Sequence, residues 1–191
     1  MWPPEALEFL RELEANNDRD WFKANRARYD AHLLEPAREL AETLTDLGQP
    51  HFFRPYNDTR FHARPPIKEQ LGVAVGYGGA GGYYVELSLD GLLVAAGLEL
   101  ARPELKTAPR GYPTTHPRIR FLRLRELTVS RRHALEPWLH APEARGRIRT
   151  ELEGARPLVT WLGEHVGPSQ RSGDQRGRRA TNRSNQASTR R

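Results

Sequence analysis

Cysteine is absent from the chain. Disulfides, thiolate catalysis, Cys-ligated zinc and iron–sulfur clusters are excluded with it. Long apolar runs are missing too: none approaches the ~20 residues needed to cross a bilayer. The opening Met-Trp-Pro-Pro-Glu has neither the basic stretch nor the apolar core of a secretory signal. The expectation is a cytoplasmic chain with no membrane partner. Motifs of common chemistry are lacking as well. The glycine-rich run at 76–82 has no following Gly-Lys-Ser/Thr and leads into Tyr83-Tyr84-Val85, a strand pattern, so it reads as a turn rather than a phosphate loop. No Gly-x-Ser-x-Gly elbow is present. The seven histidines form no His-x-x-x-His or His-Glu-x-x-His pair. Neither a metal site nor a cofactor is expected.

What is present is a chain of 191 residues, 37% hydrophobic and 28% charged, enough for one folded domain. The net charge is +6, which invites a nucleic-acid reading. Its distribution argues otherwise for most of the chain. Residues 169–191 hold seven arginines and one acid, Asp174, and so carry the whole excess. The preceding 168 residues are neutral. The tail is Arg, Ser, Gln, Asn, Gly and Thr with two alanines. Such a composition buries too little to offset its ordering entropy, so a disordered basic tail is expected after a single domain at 1–168. Two readings of the tail stand: a weak, non-specific nucleic-acid arm, or a solvated extension.

Pro3-Pro4 open a first helix whose Ala6, Phe9, Leu10 and Leu13 share a face. Asn16-Asn17 punctuate it, and Asp18 suits the N-cap of a second helix carrying Trp21, Phe22, Tyr29 and Leu33. Pro36 is expected to interrupt that pattern. A third helix with Ala37, Leu40, Ala41, Leu44 and Leu47 would stop at Gly48. The period then becomes two. Leu71, Val73 and Val75, then Tyr83, Val85 and Leu87, then the apolar run 92–98 predict a three-stranded antiparallel meander. Asp90-Gly91 is its hairpin signal, and Glu86 and Ser88 suggest a wetter face. Pro117 favours a short helix at 119–124, and 127–130 reads as a short strand. A C-terminal helix is expected over 142–166, bent at Pro157, with Ala155, Leu158, Val159, Leu162 and Val166 as its apolar face. The class is α+β. Trp2, Trp21, Trp138 and Trp161 read as core or edge anchors, Trp21 and Trp161 lying on apolar helix faces.

The candidate chemistry gathers before the sheet. Arg54, Arg60, Arg64 and Lys68 surround Asp58 in a proline-stiffened segment. A carboxylate can hold an arginine fork and leave its other donors for an anion. A second segment, 106–113, carries Lys106, Arg110 and Tyr112. If the two meet, Asp58, Arg60, Lys68, Arg110 and Tyr112 make a basic, aromatic-lined pocket for an anionic small molecule. The alternative is a structural Asp58–Arg60 pair pinning the loop. Catalysis is a further alternative, with Asp58 or His116 as acid or base. Neither has a visible partner, so an enzyme class is not specified. Nothing in the sequence sets an oligomeric state.

Several of these stretches together resemble a bacterial family, domain of unknown function 2461. They are Phe9-Leu10-Arg11-Glu12-Leu13, Asn16-Asn17 through Trp21-Phe22, Tyr29, Pro36, Asp58-Thr59-Arg60-Phe61, Gly82-Tyr83-Tyr84, Asp90-Gly91, Pro109-Arg110-Gly111-Tyr112-Pro113 with His116-Pro117, and Arg156-Pro157-Leu158-Val159 with Trp161-Leu162. The resemblance implies one bacterial, cytoplasmic α+β domain and brings no catalytic roles with it. Two departures stand out. Ala63, Arg64 and Ile67 replace the residues the family carries after Arg60-Phe61. A helical stretch that the family places after the third strand is missing between 97 and 105.

Overall fold

The computed structural model describes residues 1–58, 64–76, 81–98, 107–124 and 126–166. Its first helix, α1 (Pro4–Ala15), begins with Pro4 in its first turn and buries Ala6, Phe9, Leu10 and Leu13, as the periodicity predicts. Asp18 caps α2 (Arg19–Ala24), its carboxylate accepting from the amides of Asp20 and Trp21. The chain continues through α3 (Arg26–Tyr29), a π turn (Asp30–Leu34) and α4 (Glu35–Glu42).

Pro36 does not interrupt this run. Glu35 keeps helical torsions (φ −62°, ψ −46°), and Pro36 sits in the first turn of α4 as a buried residue. Proline has no N–H to give the preceding turn, and the helix widens there into the π turn. Leu33's carbonyl, in that turn, accepts from the indole N–H of Trp2 at 3.2 Å. Burial of Leu33, Pro36, Ala37 and Leu40 in one core outweighs the local preference against helix. The helix also ends earlier than Gly48: Leu44 and Leu47 flank and close a 3₁₀ turn (Thr45–Leu47), and Gly48 (φ +143°) follows it.

The sheet has five antiparallel strands in sequence order: β1 (Pro50–Phe52), β2 (Gln70–Val75), β3 (Gly82–Ser88), β4 (Gly91–Leu98) and β5 (Leu127–His133). The meander is therefore larger than three strands. β1 is too short to show a period, and β5 runs three residues beyond the expected 127–130. The hairpin is displaced by one: Ser88 pairs with Gly91, so Leu89-Asp90 form the loop and Gly91 opens β4. One face presents Leu71, Val73, Val75, Val85, Leu87, Leu92 and Val94 to Trp2, Phe9, Leu10 and Leu40, forming one core. Within it, Phe9, Phe22 and Tyr29 pack tilted or edge-on at 5.2–6.5 Å, and burial pushes the Tyr29 phenol up to about 12.

The C-terminal helix is two helices. A short α5 (Ile119–Leu122) precedes β5, and after a 3₁₀ turn (Pro137–His140) come α6 (Ala144–Gly154) and α7 (Arg156–His165), divided at Ala155 rather than bent at Pro157. Pro157 falls in the first turn of α7, where its missing N–H breaks no helical bond. α6 buries Ile148 and Leu152; of α7 only Leu162 is buried, and Trp161, expected on an apolar face, is 47% exposed and stacked on His165. Arg149 grips Asp46 and Glu153, and Arg156 also reaches Asp46, tying both helices to the turn before β1. No described helix is long and apolar enough to cross a membrane. The expected tail at 169–191, and Gly167 and Pro168 before it, lie outside the described residues.

The arm between β1 and β2 is fastened by Asn17. Its side-chain amide donates to the Ile67 carbonyl (3.0 Å) and to Glu69 (2.7 Å), and its Oδ1 accepts from the Ile67 amide (3.0 Å). Ile67 is fully buried and bridges Tyr56 across the arm. Asn17→Ala leaves both backbone groups of Ile67 without this partner. It is expected to cost ~1–3 kcal/mol, read as a lower urea midpoint with an unchanged slope. An unchanged midpoint would show that water replaces the clamp.

Candidate functional site

The pairing register brings a second set of side chains to the sheet face turned away from the helices. Phe52 opposite Val73, and Gly72 opposite Glu86, place Phe53, Gly72, Glu86, Leu93 and Arg132 in one row. His51, Ala74, Tyr84, Ala95 and Ser130 form the next. Gly72 is the gap in this surface: a Cβ there would lie 2.4 Å from the Tyr84 hydroxyl. The absent side chain lets the Tyr84 ring lie across β2 and place its hydroxyl 2.8 Å from Glu86 Oε2. Gln70 donates to the same oxygen at 2.6 Å, and Arg132 stands 3.8 Å from Oε1. Glu86 is thus 9% exposed and Ser88 7%. The wetter face expected from these two residues is instead a buried polar network, in which one carboxylate oxygen accepts from Tyr84 and Gln70 and the other faces the Arg132 guanidinium.

At the edge of this network the balance of charge changes. The Lys68 ammonium stands 5.5 Å from the centre of the Phe53 ring, and Phe53 in turn meets Tyr84 edge-on at 6.0 Å. Lys68 is half-buried. Burial, and after it the charge of Arg54, hold its ammonium below the usual lysine range. Among the described residues no carboxylate forms an ion pair with Lys68 or Arg54, in contrast to the arginines at 26, 28, 38, 145 and 149. A lysine over an aromatic ring, its protonation disfavoured by burial and by the nearby Arg54 charge and with no ion-paired carboxylate among the described residues, is an arrangement that an anion would relieve.

The expected site residues are distributed as follows. Lys68 lies at this edge, its amide donating to the Pro55 carbonyl at 2.7 Å. Asp58 is exposed, on the same arm. Arg60 lies outside the described residues, as does Lys106. Arg110 and Tyr112 are exposed in the loop before α5. Tyr112 packs edge-on against His116 at 5.5 Å, and His116 Nδ1 accepts from the Arg118 amide at 3.1 Å. No described hydrogen bond or ring contact joins Arg110 or Tyr112 to Lys68.

The residues that reasoning from sequence missed are Phe53, Gln70, Tyr84 and Arg132. A signal for part of this set existed. A glutamate and a serine in an otherwise apolar strand, with tyrosine two positions before the glutamate, mark one face of β3 as polar. Their partners sit on β2 and β5, and only the register reveals them.

Compared with known families, the chain matches the family model described as "Conserved hypothetical protein (DUF2461)" over residues 5–104 and 99–161. The two matched ranges overlap at residues 99–104. No curated protein and no solved structure matches the chain.

Proposed function

Because the chain belongs to this family of conserved hypothetical proteins, we propose its function from its own chemistry: an α+β domain that binds a small anion at Lys68 and Arg54. The observation that carries this reading is the half-buried Lys68 ammonium, depressed by burial and by Arg54 and facing no described carboxylate. In this reading Arg60 supplies a third donor, oriented by Asp58, and Arg110 and Tyr112, on the loop before α5, close the pocket. A phosphate or carboxylate there accepts charge-assisted bonds from the ammonium and the guanidinium forks.

The sign of the linkage supports the reading. The folded state disfavours charged Lys68, so without a ligand this residue costs stability at neutral pH. That cost fades only as pH rises through the lowered folded value toward 10.5. An anion reverses the balance by favouring the charged form. The test is a thermal melt of the full chain with inorganic phosphate, pyrophosphate, nucleotides and small carboxylates. A ligand at 100 times its Kd should add about 2.7 kcal/mol, roughly 5–10 °C for a domain of this size. Lys68→Met should abolish the shift while leaving the ligand-free Tm equal or higher. A ligand shift that survives Lys68→Met, or no shift with any anion, would sink the reading.

A further inference from the structure

β5 is an edge strand of an unusual kind. It pairs with β4 along all seven of its residues, and no described strand pairs with its other side. Six of the seven residues are exposed, Leu127 at 41% and Val129 at 49% among them. Alternate backbone N–H and C=O groups of such a strand point away from β4, and among the described residues no strand takes them up. The opposite edge is guarded differently: β1 has three residues and begins with proline. β5 contains no proline and no described bulge.

Beside β5, toward α6, lies a cleft of ≈ 150 Å³ lined by Val94, Ala96, Val129, Arg131, Glu151 and Leu152. Its wall of small and branched apolar side chains has room for one aliphatic residue of an incoming strand. The rim carries Arg131 and Glu151. Arg131 is 71% exposed and only 3.6 Å from Glu151, and Arg132, on the other face, is 42% exposed. Over residues 118–132 the sequence carries six arginines against one acid, Glu126.

We propose that β5 accepts an extended acidic segment of a partner protein as a sixth strand, its aliphatic side chain entering the cleft beside Arg131 and its carboxylates, on the opposite face of the strand, meeting Arg132. Main-chain bonds along the edge supply affinity, and the alternation of aliphatic and acidic residues supplies specificity. The same arginines act against a second copy of this chain, because self-pairing of β5 brings two like-charged edges together. Nucleic acid would use the cations but neither the strand edge nor the apolar cleft, which is why a peptide is favoured.

The test uses the full chain and a fluorescein-labelled peptide of four Glu-Val repeats, with anisotropy as the readout. Binding is expected, with amide shifts in an NMR titration confined to β5, α6 and their neighbours. Arg131→Glu with Arg132→Glu should weaken it at least tenfold. N-methylation of alternate peptide amides, made in both frames, should abolish binding in the frame that faces β5. A Lys-Val peptide should not bind. The proposal is overturned if the Glu-Val peptide fails to bind the wild-type chain, if both N-methylated frames bind like the parent, or if oligo(dT) of similar length displaces the peptide at lower concentration. The wild-type NMR titration keeps the proposal falsifiable should the double variant fold poorly.

Discussion

Replacing Trp2 with alanine is expected to remove ~3–5 kcal/mol of stability, a large part of the roughly 5–15 kcal/mol that a domain possesses. The side chain is 1% exposed and belongs to the main core. It also joins three elements. Its indole N–H donates to Leu33 in the π turn at 3.2 Å, and its own carbonyl accepts from His140 Nδ1 at 2.7 Å, in the 3₁₀ turn that follows β5. Truncation leaves a cavity and a buried carbonyl without its donor, so transfer, cavity and hydrogen-bond effects act in one direction. Trp2→Phe keeps most of the volume and loses the bond. It should cost about 1–3 kcal/mol. Urea unfolding of both variants measures the difference. If Trp2→Ala costs less than about 1 kcal/mol, the ring does not hold the N-terminus in the core.

Gly97→Ala is expected to be comparably damaging for a different reason. Gly97 adopts φ +131°, which L side chains rarely adopt. A Cβ there would stand 2.1 Å from the Leu127 carbonyl oxygen and 2.8 Å from Thr128 Cα, both backbone atoms of β5. Neither can rotate away. Strain of about 1–3 kcal/mol adds to displacement of the strand, for a total of ~3 kcal/mol or more, and pairing at the Gly97–Thr128 end of the ladder is lost first. The contrast is Gly163, exposed in α7 with nothing within 4 Å of its Cβ position. Gly163→Ala should stabilise the domain by about 1 kcal/mol. Urea midpoints of the two variants should therefore move in opposite directions. Equal stability of Gly97→Ala and wild type would mean that β5 is not seated against β4 as described.

The site was only partly legible in the sequence. Lys68 and Arg54 are visible as cations in a proline-rich arm, and Lys68 is found half-buried over the Phe53 ring. The aromatic floor under it was not visible. Phe53 reaches Tyr84 because two strands, separated in sequence by the arm and by β2, share a face across Gly72. No local pattern reports that Gly72 must lack a side chain for Tyr84 to reach Glu86. Likewise, nothing local shows that Glu86 is buried rather than wet. Its burial is accompanied by a donor at Gln70 and a guanidinium at Arg132, 16 and 46 positions away in the chain.

The sequence by itself determined the α+β class, the order of helices and strands through the middle of the chain, the Asp18 cap, the α1 core face and the family. Those properties follow from periodicity and from end and turn chemistry, which act over a few residues and are written in order along the chain. Only the tertiary structure decided that Pro36 lies within a continuous helical run, that the C-terminal helix is divided at Ala155, and that β5 forms an exposed edge. It also decided that Lys68 stands without a described counter-charge. Each of these depends on which surfaces distant segments bury together, and burial in a shared core outweighs local preference wherever the two disagree.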